Sequence, residues 1–308
     1  MFCFLEGWGL RVRVRVPATI ANVGPAFDVL GLALSLHNEV ELEPSDRPEV
    51  TVAGEGEHVL PATAANLVAR AAERVAEAAG RAVAFRIRCR NRIPMGRGLG
   101  SSAAAIVGGA AAANAALGRP LGTDALLDLA WKMEGHPDNV AAALLGGAVL
   151  VDTSAGRVAW TRFVPRWDAV IVAAIPDFTV STVEARAALP ERVPLADAVA
   201  NLGRTARLVA AMTTGEVELL AGALDDALHQ PYRRRLVPGM DDVITAAREA
   251  GAYGAVLSGS GPTIAAVAPA DRADGVGRAM VAAFGRHGHR AVSTVLGIDE
   301  SGAAVTTP

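Results

Sequence analysis

IPMGRGLGSSAAAIVGG, residues Ile93 to Gly109, is a glycine-rich turn that opens into two serines and then an alanine-rich run. Glycine lets backbone N–H groups approach a bulky anion, and a helix beginning at Ser101 or Ser102 aims its unpaired N–H groups and positive dipole end at that anion. The stretch reads either as a phosphate cradle or as a small-residue helix start packed closely on a strand. A Walker A loop needs Gly-Lys-Ser/Thr, and Lys132, the only lysine in the chain, is followed by Met133. The dinucleotide fingerprint GxGxxG fails as well, because its third glycine falls on Ser101. Two adjacent hydroxyls are available instead, one to cap the helix and one to ligate a cation beside the phosphates.

The flanks favour the cradle. In AVAFRIRCR, Val83, Phe85, Ile87 and Cys89 share one face of a strand, and the alanine run ends at Gly118 with Pro120 just beyond. A turn that follows a strand and opens a helix is the context a phosphate loop needs. Cys89 reads as a core residue rather than a reactive thiol. The next helix, with Thr123 as its cap, carries Leu126, Leu127, Leu129, Ala130 and Met133 at core spacing and ends on Glu134. A carboxylate at the negative end of a helix dipole typically costs about 0.3–1 kcal/mol, which a divalent cation would offset. Gly135, His136, Pro137, Asp138 and Asn139 follow, all of them polar or turn-forming, immediately before a buried apolar run.

With 308 residues, 51% of them hydrophobic and 20% charged, the chain is long enough for two packed domains. A net charge of -3 leaves no footprint for nucleic acid or an anionic membrane. Two cysteines, Cys3 and Cys89, match no metal spacing and suit a reducing cytoplasm. MFCFLEGWGL lacks the basic start and small-residue cleavage site of a signal peptide, and no run reaches the roughly 18 apolar residues of a membrane span. Along the chain, RVRVRV (11–16) alternates as a strand that Pro17 should stop, followed by a loop and strands at 36–43 and in EVTVAGEG. A helix beginning near Asn66 stops at Gly80. After strands in VLVDT, RVAWTRF and DAVIVAAIP come helices starting at Ser181 or Thr182, at 195–213, at 215–228 and near Gly239. The strand 252–257, the glycine turn SGSGPT (258–263), a strand in TIAAVAP, a helix at 271–285 and a strand at 291–297 complete an α+β pattern, with helices on one face of an antiparallel sheet. The turn 154–157 is the expected boundary between domains 1–155 and 156–308. Arg233, Arg234 and Arg235 read as a solvated run, and His37, His58, His229, His287 and His289 as ordinary histidines without metal-ligand spacing.

PATIANVGPAFD, IPMGRGLGSSAAA and VLSGSGPT, in this order, resemble the three motifs of the GHMP kinases, a family of small-molecule kinases. EGHPDNVAAALLGG, STVEAR and QPYRRRLVPG are similar to its homoserine-phosphorylating branch, and the likeness runs from Val12 to Gly297. It implies an N-terminal domain like ribosomal protein S5 domain 2, a ferredoxin-like C-terminal domain, and ATP between them. On that resemblance Pro94, Met95, Gly96, Arg97, Gly98, Leu99, Gly100, Ser101, Ser102, Ala103 and Ala104 hold the nucleotide, Asn66 lines the adenine pocket, and Ser102 with Glu134 holds Mg²⁺. Asn22, Asp28, His136 and Asn139 match residues that hold L-homoserine, and Arg186 and Arg233 match those that grip its carboxylate, where guanidinium forks suit bidentate binding. Asp138 matches a base in mevalonate kinase-like relatives, and here reads as a base or an orienting group, so His136, Asp138 and Asn139 form the expected catalytic set. The implied reaction is ATP-dependent phosphorylation of L-homoserine to O-phospho-L-homoserine in threonine biosynthesis, by a family whose members often form homodimers. The alternatives are another small-molecule kinase of the family and a non-catalytic ligand sensor on the same fold. Ala26 stands where the family has glycine, Ile20 where serine is common and Ala142 where proline is usual. Ala26 bears on a turn near the substrate, because an added methyl narrows it.

Overall fold

A computed structural model describes residues 10–306, so the reading of Cys3 and of the first nine residues lies outside it. The chain runs β1 (Val12–Ala21), β2 (Leu30–Ser45), β3 (Glu49–Gly54), α1 (Leu67–Ala78), β4 (Ala84–Asn91), α2 (Ser101–Ala116), α3 (Thr123–Glu134), α4 (Pro137–Leu145) and β5 (Ala148–Asp152). It continues through β6 (Ala159–Phe163), β7 (Val170–Pro176), α5 (Thr182–Ala187), α6 (Leu195–Thr214), α7 (Gln230–Arg233) and α8 (Met240–Glu249). β8 (Gly254–Leu257), β9 (Ile264–Ala268), α9 (Ala273–Arg286), β10 (Ala291–Leu296) and β11 (Ala304–Thr306) complete it.

The first sheet has the order β11-β1-β2-β4-β3, with β5 on the free end of β2 and β6 on β5. Only the β3–β4 pair among these is parallel. Alternation sets its two faces: Val12, Val14 and Val16 are buried, while the intervening arginines meet glutamates on β2 in cross-strand pairs such as Arg13–Glu41. The buried face carries α2, whose small residues are buried all round between the sheet and α1, α3 and α4. Gly109 makes that close packing physical, since a Cβ there would lie 2.2 Å from the carbonyl oxygen of Val68 in α1. The second sheet, β10-β7-β9-β8, is antiparallel; α8 and α9 cover one face through Val243, Val276, Met280 and Phe284, and its other face shares the first core with Leu208, Ala211 and Met212 of α6.

Several expectations change here. Pro17 does not end β1: the strand continues to Ala21 across a register shift between Pro17 and Ala18, because a bulge accommodates the missing N–H. β2 starts six residues earlier than the expected 36, at Leu30. No α-helix spans 215–228. Gly215, left-handed at φ 86°, ends α6; a 3-10 turn over Val217–Leu220 follows, and the Asp226 carboxylate takes the N–H groups of Leu228, His229 and Gln230 to start α7. Asn66 caps α1 as expected, accepting from the Val68 N–H at 3.0 Å. Ser101 and Thr123 instead occupy the first helical positions behind Gly100 and Gly122, and neither caps through its side chain. The turn 154–157 joins β5 to β6 inside the first sheet, which also takes β11 from the chain's far end.

Candidate active site

A cavity of about 420 Å³ lies between the cradle, the loop after β1, α5 and the second glycine turn. Its walls carry Met95, Gly96, Gly98, Gly100, Ser101 and Ser102 from the cradle and Gly259 and Ser260 from the turn. Gly98 is the contact between the two loops: at φ 76°, its Cβ would sit 2.2 Å from the Ser258 carbonyl oxygen, and its own carbonyl accepts from Ser258 Oγ at 2.6 Å. Gly100 approaches Thr19 with the same tightness, a Cβ there falling 1.9 Å from Thr19 Oγ1. Close backbone approach of this kind is what only glycine allows, and α2 begins immediately behind it with unpaired N–H groups facing the turn.

The other expected nucleotide residues divide. Asn66 lines the cavity while capping α1, with Leu60, Val68 and Cys89 as apolar neighbours. Burial pushes the Cys89 thiol up to about 12, so it is an inert wall residue. Leu99, Ala103 and Ala104 are core residues that do not line the cavity, and Pro94 faces a second, separate one. Arg97 lines both, and its guanidinium donates to the carbonyls of Pro176, the last residue of β7, and of Asp177 just beyond it.

Ser102 Oγ donates to Glu134 Oε1 at 2.5 Å, so a hydroxyl and a carboxylate oxygen converge where α2 starts and α3 ends. Hard oxygen donors suit Mg²⁺. No group of three or more His, Cys, Asp or Glu able to hold a metal occurs among the described residues, so phosphate and water would have to complete any coordination.

The loop from Asn22 to Asp28 forms the opposite wall. Asn22, Val23 and Gly24 sit at φ 70°, 43° and 80°, and Asp28 at 57°, an unusual concentration of left-handed backbone held in place by many bonds. Asn22 donates to the Gly259 carbonyl at 3.1 Å and accepts from the Asp28 N–H at 3.0 Å. Ala26 has no positive φ and lies in the core, so its methyl causes no strain. The Asp28 carboxylate takes both ends of the Arg186 fork, at 2.8 and 2.9 Å. Arg233, 2% exposed, is the one member of the arginine run that is buried. Its Nε donates to the Ala185 carbonyl at 3.1 Å, its Nη1 to the Gly259 carbonyl at 3.0 Å, and it has no ion-pair partner among the described residues. Burial first, then the Arg186 charge, pulls it down to about 10.

His136, Asp138 and Asn139 stand on the same cavity at the start of α4, where His136 is the cap position and Pro137 the first residue. Asn139 Oδ1 accepts from Thr19 Oγ1 at 2.6 Å, tying this turn to the strand that packs under Gly100. Asp138 is 2% exposed and accepts its neighbour Asn139 N–H at 2.8 Å. Burial, reinforced by the Asp28 charge, pushes its carboxyl up to about 7. His136 Nδ1 lies 3.9 Å from Asp138 Oδ1, and burial holds the imidazole below its ordinary value.

Two sequence profiles match: the GHMP kinases N terminal domain over residues 66–147 and the GHMP kinases C terminal domain over 208–287. A homoserine kinase of Moorella thermoacetica is 48% identical over 293 residues, 95% of this chain and 99% of that one. The chain belongs to the GHMP kinases. A homoserine kinase of Carboxydothermus hydrogenoformans is 46% identical over 89% of this GHMP kinase and 90% of its own length. The solved homoserine kinase of Cytophaga hutchinsonii superposes with a TM-score of 0.88 at 33% identity, covering 99% of each chain. A solved mevalonate kinase, at 12% identity and TM-score 0.68, shares the fold.

Thr19 and His229 of this GHMP kinase escaped the sequence reading. Thr19 carried no signal, being one polar residue in a buried strand. His229 immediately precedes QPYRRR, yet its partners are 4 and 205 residues away.

The raised Asp138 carboxyl carries a sign for stability. The folded state holds a proton that the unfolded chain releases near pH 4. Its stabilising contribution is therefore fully present below that value and is lost as pH rises through about 7. Asp138→Asn should melt above the parent at pH 8, with the difference shrinking towards pH 5, while losing activity. A melting difference independent of pH contradicts this placement.

Proposed function

We propose that the chain transfers the γ-phosphoryl group of ATP to the side-chain hydroxyl of L-homoserine, giving ADP and O-phospho-L-homoserine, a reaction that serves threonine biosynthesis. The observation that carries the reading is the charge pattern opposite the cradle. Asp28 presents a carboxylate beside Arg186, and Arg233 is a buried cation with no ion-pair partner among the described residues. A carboxylate and two guanidinium groups together complement the ammonium and carboxylate of an α-amino acid. The Asn22–Asp28 loop, the His136–Asn139 turn, Ser102 and Glu134 line the same cavity, so an amino acid held there would have its hydroxyl free to meet the phosphate.

Phosphoryl transfer asks for alignment and charge stabilisation more than for covalent help. Gly96–Ser102 and the first turn of α2 would hold the phosphates through backbone N–H groups. Ser102 and Glu134 would hold Mg²⁺, which supplies neutralisation of the phosphate charge. As the homoserine oxygen bonds to the γ-phosphorus, the bond to the bridging oxygen of ADP breaks. The hydroxyl proton passes to the Asp138 carboxylate or to the transferred phosphate, with His136 and Asn139 orienting the hydroxyl.

The arginines bind differently from free forks. Arg186 spends one N–H of each terminal nitrogen on Asp28, and among the described residues Arg233 has only Nη2 without a protein partner, so the substrate carboxylate meets the N–H groups these bonds leave over. Arg186→Ala should raise KM for homoserine by about 10–100-fold, the loss of roughly 1.5–3 kcal/mol in a charged hydrogen bond, with KM for ATP little changed. Unchanged homoserine constants would remove the substrate assignment.

A homodimer has support on α6. Leu195, Val199, Leu202 and Ala206 form an exposed seam at spacings of four, three and four. An antiparallel copy that sets Val199 on Leu202 also sets Leu195 on Ala206, so the apolar seam can close on a second copy of itself. By sedimentation, Val199→Glu and Leu202→Glu, both at exposed seam positions, should each weaken association. Association unchanged in both variants excludes this seam.

A further inference from the structure

His229 is fully buried one residue before α7, and the catalytic reading does not use it. Its Nε2 lies 2.8 Å from the Gly24 carbonyl oxygen and its Nδ1 3.2 Å from Arg233 Nη1. A carbonyl only accepts and a guanidinium only donates. The two bonds therefore require a neutral ring with the proton on Nε2. The ring also stacks on Phe27, centroids 5.2 Å apart, and Phe27 lies under both Arg186 and Arg233 at 5.7 and 5.3 Å. The charged groups around it are Asp226, with Oδ2 3.6 Å from Nε2, Arg233 on α7 and Asp28 on the loop. Burial and Arg233 hold the imidazole down at about 4, against the pull of Asp226.

The bonds of Arg233 can be counted. Of its five N–H groups, Nε–H goes to Ala185, and the two on Nη1 go to Gly259 and His229. Nη2 alone is left. The Gly24 carbonyl belongs to the left-handed stretch that also carries Asn22 and Asp28, and Asn201 of α6 holds the next carbonyl, that of Pro25, at 2.9 Å. One ring thus joins the loop that would meet the substrate's ammonium group to the arginine that would meet its carboxylate.

We propose that His229 is a positioning residue for the substrate carboxylate: as the neutral Nε2–H tautomer it ties the Gly24 carbonyl to Arg233 Nη1 and turns Nη2 into the cavity. The inference rests on the homoserine reading of this cavity. Three variants separate its parts. His229→Phe keeps the stack on Phe27 and loses both bonds. His229→Asn keeps an acceptor near the position of Nδ1, and His229→Gln keeps a donor near that of Nε2.

The experiment measures KM and kcat for L-homoserine and for 3-amino-1-propanol, which is homoserine without its carboxylate, in the parent and the three variants. His229→Phe should raise KM for homoserine by about 10-fold or more with kcat and KM for ATP within about threefold. Its KM for 3-amino-1-propanol should change little, so that discrimination between the two alcohols collapses, and His229→Asn should recover more of it than His229→Gln. Equal loss on both alcohols, or no difference between Asn and Gln, overturns the proposal in favour of packing alone. Nitrogen-15 NMR of the parent protein's histidines provides a readout that needs no variant to fold. A neutral ring protonated on Nε2 at pH 7 supports the tie, and an imidazolium or an Nδ1–H ring overturns it. Failure of the parent to release ADP with homoserine would instead remove the functional reading, and the NMR result would still decide the tautomer.

Discussion

Glu134→Gln should lower kcat with Mg·ATP by about 10²–10³-fold, the loss typical of removing one fixed electrostatic partner of a phosphoryl or oxyanion transition state. Glutamine matches glutamate in size and still offers Ser102 Oγ an acceptor, so the 2.5 Å contact between α2 and α3 can persist. Only the negative charge is removed. Glu134 sits at the last residue of α3, where the helix dipole disfavours a carboxylate, and at neutral charge the helix end should be as stable or slightly more so. Melting temperature and turnover should therefore move independently. Initial rates of ADP release over a range of Mg²⁺ concentrations check this, with the apparent Mg²⁺ requirement rising in the variant. A turnover within threefold of the parent at every Mg²⁺ concentration would leave Glu134 without its assigned role.

Gly98→Ala should cost both stability and nucleotide binding. Its Cβ would lie 2.2 Å from the Ser258 carbonyl oxygen and 3.0 Å from that of Gly261, and neither is the end of a side chain that could swing away. The residue is also left-handed at φ 76°, a region that costs a non-glycine residue roughly 1–2 kcal/mol before any clash. Relief requires the cradle and the second glycine turn to separate, breaking the 2.6 Å bond from Ser258 Oγ to the Gly98 carbonyl. A loss of about 2–4 kcal/mol in denaturant unfolding is expected, together with KM for ATP raised by about 10-fold or more. Gly118→Ala is the control: it is also left-handed, but a Cβ there meets nothing within 4 Å. Equal behaviour of the two variants would mean that the loops do not need their close contact.

What the sequence made legible were features governed by near neighbours. Asn66 at a helix start, Gly98 and Gly100 between a strand and a small-residue helix, and Glu134 at a helix end each follow from a few adjacent residues, and the structure places them so. Pro17 misled because the rule that proline ends strands ignores bulges, which only pairing with β2 reveals. The segment 215–228 misled because Leu220, Ala223 and Leu224 are buried at helix-like spacing, yet the Asp226 carboxylate and left-handed glycines at 215 and 222 set a different backbone. Arg233 looks identical to Arg234 and Arg235 along the chain. It is buried because α7 turns it towards Ala185 and Gly259, contacts 48 and 26 residues away. His229 likewise takes its meaning from Gly24, 205 residues earlier, and no local pattern carries that.

The measurement that tests the account most directly is ADP release by the purified protein with Mg·ATP and a panel of homoserine, mevalonate, galactose and shikimate, with phosphorus-31 NMR of the product. Release should depend on homoserine and give a single O-phosphohomoserine resonance, with rates for the other alcohols lower by at least about 10²-fold, as expected when a buried charged pocket lacks its partner. Release driven equally by another alcohol, or binding of ATP and homoserine without turnover, would contradict it.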